Sequence, residues 1–252
     1  MVSWTYRAFI VLVLAAAASL EVAPACAGTV NAAVAANFTQ VATALAGRFE
    51  ASTGNDVTLS FGSTGALYTQ ITQGAPFDVF LSADDKRTKM AIKDGLGVDG
   101  TEFTYAVGKL VLYAPTLDVT EGAAVLKGNA FEHISIADPK AAPYGAAAMA
   151  VLDALGLTDA VKPRIVTAEN ITQALQFVDS GNAEVGFVAQ SQVIGKPATQ
   201  IWSPPQEDYP VIAQDAVLLK TGADNQAAKD FLAYLRSDEA VAVIRAAGYG
   251  IE

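Results

Sequence analysis

The sequence predicts an α/β protein of two lobes, each a mostly parallel sheet flanked by helices, with two extended crossover strands joining the lobes. Three observations carry this. Apolar runs of strand length alternate with segments of helical spacing from residue 29 to residue 189, the order that builds parallel sheets with helices on their faces. Two longer apolar runs, 103–114 and 211–220, interrupt that alternation and read as crossovers. At four points a strand-like run ends in a small polar residue or turn and a helix begins at once: Ala36-Asn37-Phe38, Gly62-Ser63-Thr64-Gly65, Ala142-Pro143-Tyr144-Gly145 and Glu169-Asn170-Ile171.

The first lobe begins with a buried strand over 29–35. Phe38, Val41, Leu45 and Phe49 then recur at helical spacing, with Gly54-Asn55 as the stop. A strand at 56–61, a helix at 66–73, a strand at 78–82 and a helix at 85–94 follow. The run 103–114 is expected as one long strand with Gly108 in its middle. The second lobe repeats the pattern with strands at 134–137, 164–167 and 185–189 and helices at 144–155 and 171–179. After the turn at Ser203-Pro204-Pro205, the run 211–220 reads as the return crossover. The tail is helical over 225–235 and 238–247, with Ser237 as a cap. The expected division is therefore 28–107 for the first part of lobe 1, 108–212 for lobe 2, and 213–252 for its return to lobe 1.

Residues 1–27 read as a secretory signal peptide. Arg7 precedes an apolar stretch at 8–20, and Ala25-Cys26-Ala27 supplies the small-residue cleavage pattern. That stretch falls short of the ~20 residues a membrane span needs, so a retained anchor is the weaker alternative. Cys26 is the single cysteine. Cleavage after Ala27 leaves a chain without disulfides or thiolate ligands. Lipidation at Cys26 is a second reading, which Pro24 disfavours. The net charge of −10 argues against nucleic acid or an anionic membrane as partner. It also requires any anion site to work by local geometry, against the long-range field.

The four junctions suggest such a site. A helix N-terminus exposes unpaired N–H groups and carries a partial positive charge. In open α/β sheets, ligands lie beyond the carboxyl ends of the strands, where all four junctions fall. Two belong to each lobe. Asn37 is an N-cap or an amide donor to the anion. Ser63 and Thr64 lie between Gly62 and Gly65, whose freedom permits a tight turn and close approach. Tyr144 offers a phenol and an N–H, Ile171 an N–H alone, and Asn170 caps the last helix. His133, the single histidine, reads as structural, and Asp84-Asp85 as a solvated loop and helix start. No junction carries the lysine of a nucleotide P-loop, and Gly-Ser-Thr-Gly is not a nucleophile elbow.

Further markers point the same way. They are Ala35-Ala36-Asn37-Phe38, Phe61 to Gly65, Gly74-Ala75-Pro76 with Asp78 to Asp84, and Gly108-Lys109-Leu110-Val111-Leu112. Pro143-Tyr144-Gly145, Gly186-Phe187-Val188 and the ending Ala246-Ala247-Gly248-Tyr249-Gly250 complete the set. In this order they resemble the periplasmic molybdate-binding proteins of ABC importers, within the type II solute-binding proteins, over residues 28–252. The resemblance implies a periplasmic-binding-protein-like fold and a carrier without enzymatic activity. Molybdate, with tungstate, would be captured between the lobes by neutral donors and delivered to a membrane permease. The molybdenum oxyanion would be held through Asn37, Thr64 with Ser63 adjacent, Tyr144 and Ile171. Asn37 stands where the family commonly has serine. Ala189 stands where one branch has a ligand tyrosine, a phenol that Tyr144 could replace. No cofactor beyond this ligand, no nucleic acid and a monomeric protein are expected. Alternatives are a receptor for sulfate or another oxyanion, an enzyme acting through Ser63 or Thr64, and an effector domain of a regulator.

Overall fold

The computed structural model describes residues 27–128 and 130–251. The leader reading, Cys26 included, therefore lies outside the described residues, apart from Ala27. The elements run β1 (Thr29–Ala35), α1 (Thr39–Thr53), β2 (Asp56–Gly62), α2 (Thr64–Thr72), β3 (Val79–Leu81), α3 (Lys86–Lys93) and β4 (Phe103–Gly108). Then come β5 (Leu110–Tyr113), α4 (Gly122–Lys127), β6 (Ile134–Ala137), α5 (Pro143–Ala154), α6 (Thr158–Val161), β7 (Ile165–Ala168), α7 (Ile171–Asp179) and β8 (Val185–Ala189). The chain closes with β9 (Ile201–Trp202), β10 (Ile212–Leu218), α8 (Gln226–Leu235) and α9 (Asp238–Ala246).

These make two lobes, each around a five-stranded sheet, ordered β2-β1-β3-β10-β4 in the first and β7-β6-β8-β5-β9 in the second. β1 is parallel to β2 and β3, while β10 is antiparallel to β3 and β4. In the second sheet β6 is parallel to β7 and β8, and β5 is antiparallel to β8 and β9. Each sheet is thus parallel except for one strand, and that strand neighbours the crossing between lobes.

Period-two alternation sends successive strand residues to opposite faces, and both faces are covered. In β1, Val30, Ala32 and Val34 meet Leu45, Phe49 and Phe231 from α1 and α8, whereas Ala33 meets Leu67 and Ile71 of α2. In β5, Leu110 and Leu112 face Ala148 and Val151 of α5, while Val111 and Tyr113 face Val178 of α7. Strands buried on both sides are continuous apolar runs, which is why they stand out in the sequence. Gly54 ends α1 at φ +75°, the left-handed turn that glycine adopts freely.

Two expected crossovers differ in detail. The run 103–114 is two strands, because the chain leaves the first sheet at Gly108 and enters the second at Leu110. The return crossing is made by residues 203–211, and β10 lies wholly within the first sheet. Prolines at 204, 205 and 210 remove backbone donors from that crossing segment. The helix expected from residue 66 starts at Thr64. The short α4, α6 and β9 carry no periodic signal long enough to read.

Candidate functional site

All four strand–helix junctions converge. One cavity, about 10 Å³, is lined by Ala35 to Asn37, Gly62 to Thr64, Ala142 to Tyr144, and Asn170 with Ile171, completed by Ala83. The helices behind it are long enough for their ends to act as dipole termini: nine residues in α2, twelve in α5 and nine in α7. No Lys, Arg, His, Asp or Glu lines it among the described residues. Wider crevices of 140 and 310 Å³ flank it, but neither gathers all four junctions.

Each junction presents its backbone in a particular way. Asn170 is the N-cap of α7, and its side chain accepts from the N–H groups of Thr172 and Gln173, both at 3.0 Å. The cap satisfies the second and third donors of the helix and leaves the first, at Ile171, for the cavity. In α5, Pro143 occupies the first helical position and has no N–H, so Tyr144 supplies the leading donor. In α2, Thr64 leads. Its hydroxyl accepts from Ala83 N at 3.1 Å. With a lone pair so engaged, the O–H remains to donate. Ser63 is the N-cap by position, without a side-chain cap bond. The N–H groups of Asn37, Thr64, Tyr144 and Ile171 have no protein acceptor among the described residues.

The lobes meet around this cavity. Gly65 N–H donates to Ala141 O at 2.8 Å, Arg87 Nη2 to Lys140 O at 2.8 Å, and Thr172 Oγ1 to Ala36 O at 2.9 Å. Gly65 serves closeness rather than a turn. Its φ is not positive, and a Cβ there would lie 3.0 Å from Ala141 Cα. Two lobes that meet around a ring of helix starts are an architecture suited to binding a small solute.

A profile of bacterial extracellular solute-binding proteins matches residues 30–250. The chain belongs to that family. It is 54% identical to the molybdate-binding protein ModA of Rhodobacter capsulatus over 230 residues, 91% of each chain. It is 51% identical to ModA of Azotobacter vinelandii over 245 residues, covering 96% of this chain and 97% of that one. The solved structure of the Azotobacter vinelandii periplasmic molybdate-binding protein superposes with a TM-score of 0.85 at 41% identity, over 88% of this chain and 99% of that one.

In this solute-binding protein two side-chain expectations need correction. Asn37 is neither a helix cap nor a free amide donor. It lies in a 3-10 turn without a cap bond, and its Nδ2 donates to Gln214 Oε1 at 2.8 Å and to Tyr249 OH at 3.0 Å. Asn37 lines the cavity, and its backbone N–H has no protein acceptor among the described residues. The Tyr144 phenol packs away from Ala189, at the edge between the lobes. It accepts from Gln214 Nε2 at 3.1 Å and lies so close to Gly108 that a Cβ there would come within 2.1 Å. Neither Gln214 nor Gly108 lines the cavity, whereas Tyr144 does. Ala189 is buried in β8.

Sequence reasoning missed Gln214, Tyr249 and Tyr105, which form a buried polar layer behind Asn37. The available signal was Gln214, a polar residue inside an apolar strand, and Tyr249 between two glycines. Burial pushes the Tyr249 phenol up to about 12 and those of Tyr105 and Tyr144 well above the ordinary value. The layer therefore stays neutral and places no negative charge behind an anion. His133 is exposed, and its N–H donates to Glu184 Oε2 at 2.8 Å. Among the described residues no group of three or more His, Cys, Asp or Glu gathers as a metal site.

Asp215 follows Gln214 across a β-bulge and is 4% exposed. Burial pushes its carboxyl up to about 6; the Thr104 hydroxyl, donating to it, acts the other way, and Glu102 and Asp85 add to the rise. An unfolded Asp titrates near ~3.9. The folded state therefore holds the proton more tightly. The stabilisation is full below about pH 4 and is lost as pH rises through about 6. Asp215→Asn is thus expected to be neutral at pH 4 and stabilising at pH 8, by about 1–2 kcal/mol after solvent screening. Urea titrations of both proteins at the two pH values check this.

Proposed function

We propose that this protein binds molybdate, and tungstate with it, in the interlobe cavity and delivers the ion to the permease of an ABC importer. The reading is supported chiefly by four unpaired backbone N–H groups, from Asn37, Thr64, Tyr144 and Ile171, facing one cavity with the Thr64 hydroxyl and no ionisable carboxylate. A fully deprotonated tetrahedral oxyanion has only acceptors and suits a ring of donors. Phosphate near neutral pH keeps a proton and meets no carboxylate to receive it. Hydrogen bonds to a charged group contribute ~1.5–3 kcal/mol each, so five such donors support micromolar or tighter binding after ordering costs. Ser63 stands beside them as a further hydroxyl.

The names of the relatives favour molybdate over other oxyanions. The protein acts as a carrier and turns over no substrate, consistent with these binding-protein relatives. The same reading places it in the periplasm as a monomer after removal of residues 1–27, and needs no cofactor beyond the transported ion. Lobe 1 then comprises residues 28–108 and 212–252, and lobe 2 residues 109–211, one residue off the expected division at each crossing because Gly108 ends β4 and Ile212 begins β10. Calorimetric titration of residues 28–252 with molybdate, tungstate, sulfate and phosphate tests the proposal. One-to-one binding of the first two, at least a hundredfold tighter than the others, is expected. Equal binding of sulfate, or silence with all four, contradicts it.

A further inference from the structure

We infer that Gln214 and Tyr249 are positioning residues that couple anion capture to lobe closure; this rests on the molybdate reading above. Both belong to lobe 1, and each reaches Asn37 on one side and lobe 2 on the other. Gln214, 0% exposed, accepts from Asn37 Nδ2 at 2.8 Å and from Tyr105 OH at 3.1 Å through Oε1, and donates from Nε2 to the lobe 2 phenol of Tyr144 at 3.1 Å. Tyr249 donates to the backbone carbonyl of Asn37 at 2.8 Å and accepts from Asn37 Nδ2 at 3.0 Å and from Ser191 Oγ of lobe 2 at 2.9 Å.

The directions are mutually consistent. Asn37 Nδ2 donates to Gln214 Oε1, and Tyr105 shares its one proton between Oε1 and Ser82 O at 3.0 Å, so Nε2 is the end that meets Tyr144. Tyr249 spends its proton on Asn37 O, so its oxygen is free to receive Ser191. The peptide between Ala36 and Asn37, whose N–H faces the cavity, is held from behind as well. Its carbonyl accepts from Thr172 of lobe 2 at 2.9 Å and from Thr39 at 2.8 Å. Asn37 is therefore fixed on both flanking peptides and at its side chain, and lobe 2 supplies part of that fixing. Opening the lobes parts Gln214 from Tyr144 and Tyr249 from Ser191, leaving buried polar groups to find water. Closing restores them and aims the Asn37 N–H at the anion. Such contacts stabilise the closed state alone, so they act on release more than on capture.

Tyr249→Phe removes the hydroxyl and keeps the ring packed edge-on to Phe38, 5.4 Å between centroids. Gln214→Leu removes the carboxamide at similar volume. Stopped-flow mixing with molybdate is expected to show release about tenfold faster in each, with association within about twofold of wild type. Ser191→Ala reaches the same bond from the other lobe and serves if Tyr249→Phe folds poorly. Combined with Tyr249→Phe, it is expected to add little to release. Wild-type release rates in Gln214→Leu and in Tyr249→Phe (or Ser191→Ala) overturn the inference. So does a loss confined to association, or a fall in thermal stability of the molybdate-free protein with release unchanged. Wild type that fails to bind molybdate overturns the parent reading, and the inference falls with it.

Discussion

Thr64→Val is expected to weaken molybdate binding about 10- to 100-fold, the loss of a hydrogen bond to a charged acceptor worth ~1.5–3 kcal/mol. Thr64 is 1% exposed and lines the cavity. Its hydroxyl accepts from Ala83 N at 3.1 Å, which leaves the proton to the ligand. Valine keeps the shape and removes both bonds. The molybdate-free protein should also lose about 1–3 kcal/mol, because the buried Ala83 N–H then lacks an acceptor. Thr64→Ser restores the hydroxyl and should hold affinity within a few-fold. Calorimetry and denaturant titration on the three proteins separate the two effects. Unchanged affinity in the valine variant removes Thr64 from the site.

Gly145→Ala is expected to do more damage than its single methyl suggests. A Cβ at Gly145 would lie 2.1 Å from Ala137 O and 2.7 Å from Ala137 C, at the end of β6. These are backbone atoms of a buried strand, so the start of α5 must move instead. Overpacking of this kind costs ~1–3 kcal/mol, at times more, and the upper end is expected here. The N–H of Tyr144, one residue earlier, moves with it. Hydrogen bonds weaken steeply off-line, so affinity should fall at least about tenfold. Gly47→Ala, exposed in α1 with nothing within 4 Å of its Cβ, is the control. It should stabilise by about 0.5–1 kcal/mol and leave binding alone. Thermal melts and titrations of both variants check the pair. Equal behaviour contradicts the packing account.

Much of the frame was legible because it rests on local rules. Strands such as β5 and β8 are buried on both faces and therefore appear as unbroken apolar runs. The convergence of the four junctions was legible for the same reason: strand ends and helix starts are sequence-local, and a parallel sheet gathers them at one edge. What was not legible depends on residues far apart in the chain. The direction of the Asn37 carboxamide is decided by Gln214 and Tyr249, which local spacing cannot bring to it. The phenol of Tyr144 lies against Gly108, which leaves it room, and Gln214, which gives it a donor. Gly65 reads as room for a tight turn and a close ligand, whereas the group that comes close to it is Ala141 of the other lobe. A residue's side chain was harder to place than its N–H, since helix position sets the second and tertiary packing sets the first.

The position of the anion decides which groups bind it. The most direct measurement is anomalous diffraction at the molybdenum absorption edge from crystals grown with molybdate. The expected result is a single strong peak in the interlobe cavity. The ligand oxygens should lie about 3 Å from the backbone nitrogens of Asn37, Thr64, Tyr144 and Ile171 and from Thr64 Oγ1. A peak elsewhere on the molecule, or one held by Lys or Arg side chains, would contradict it.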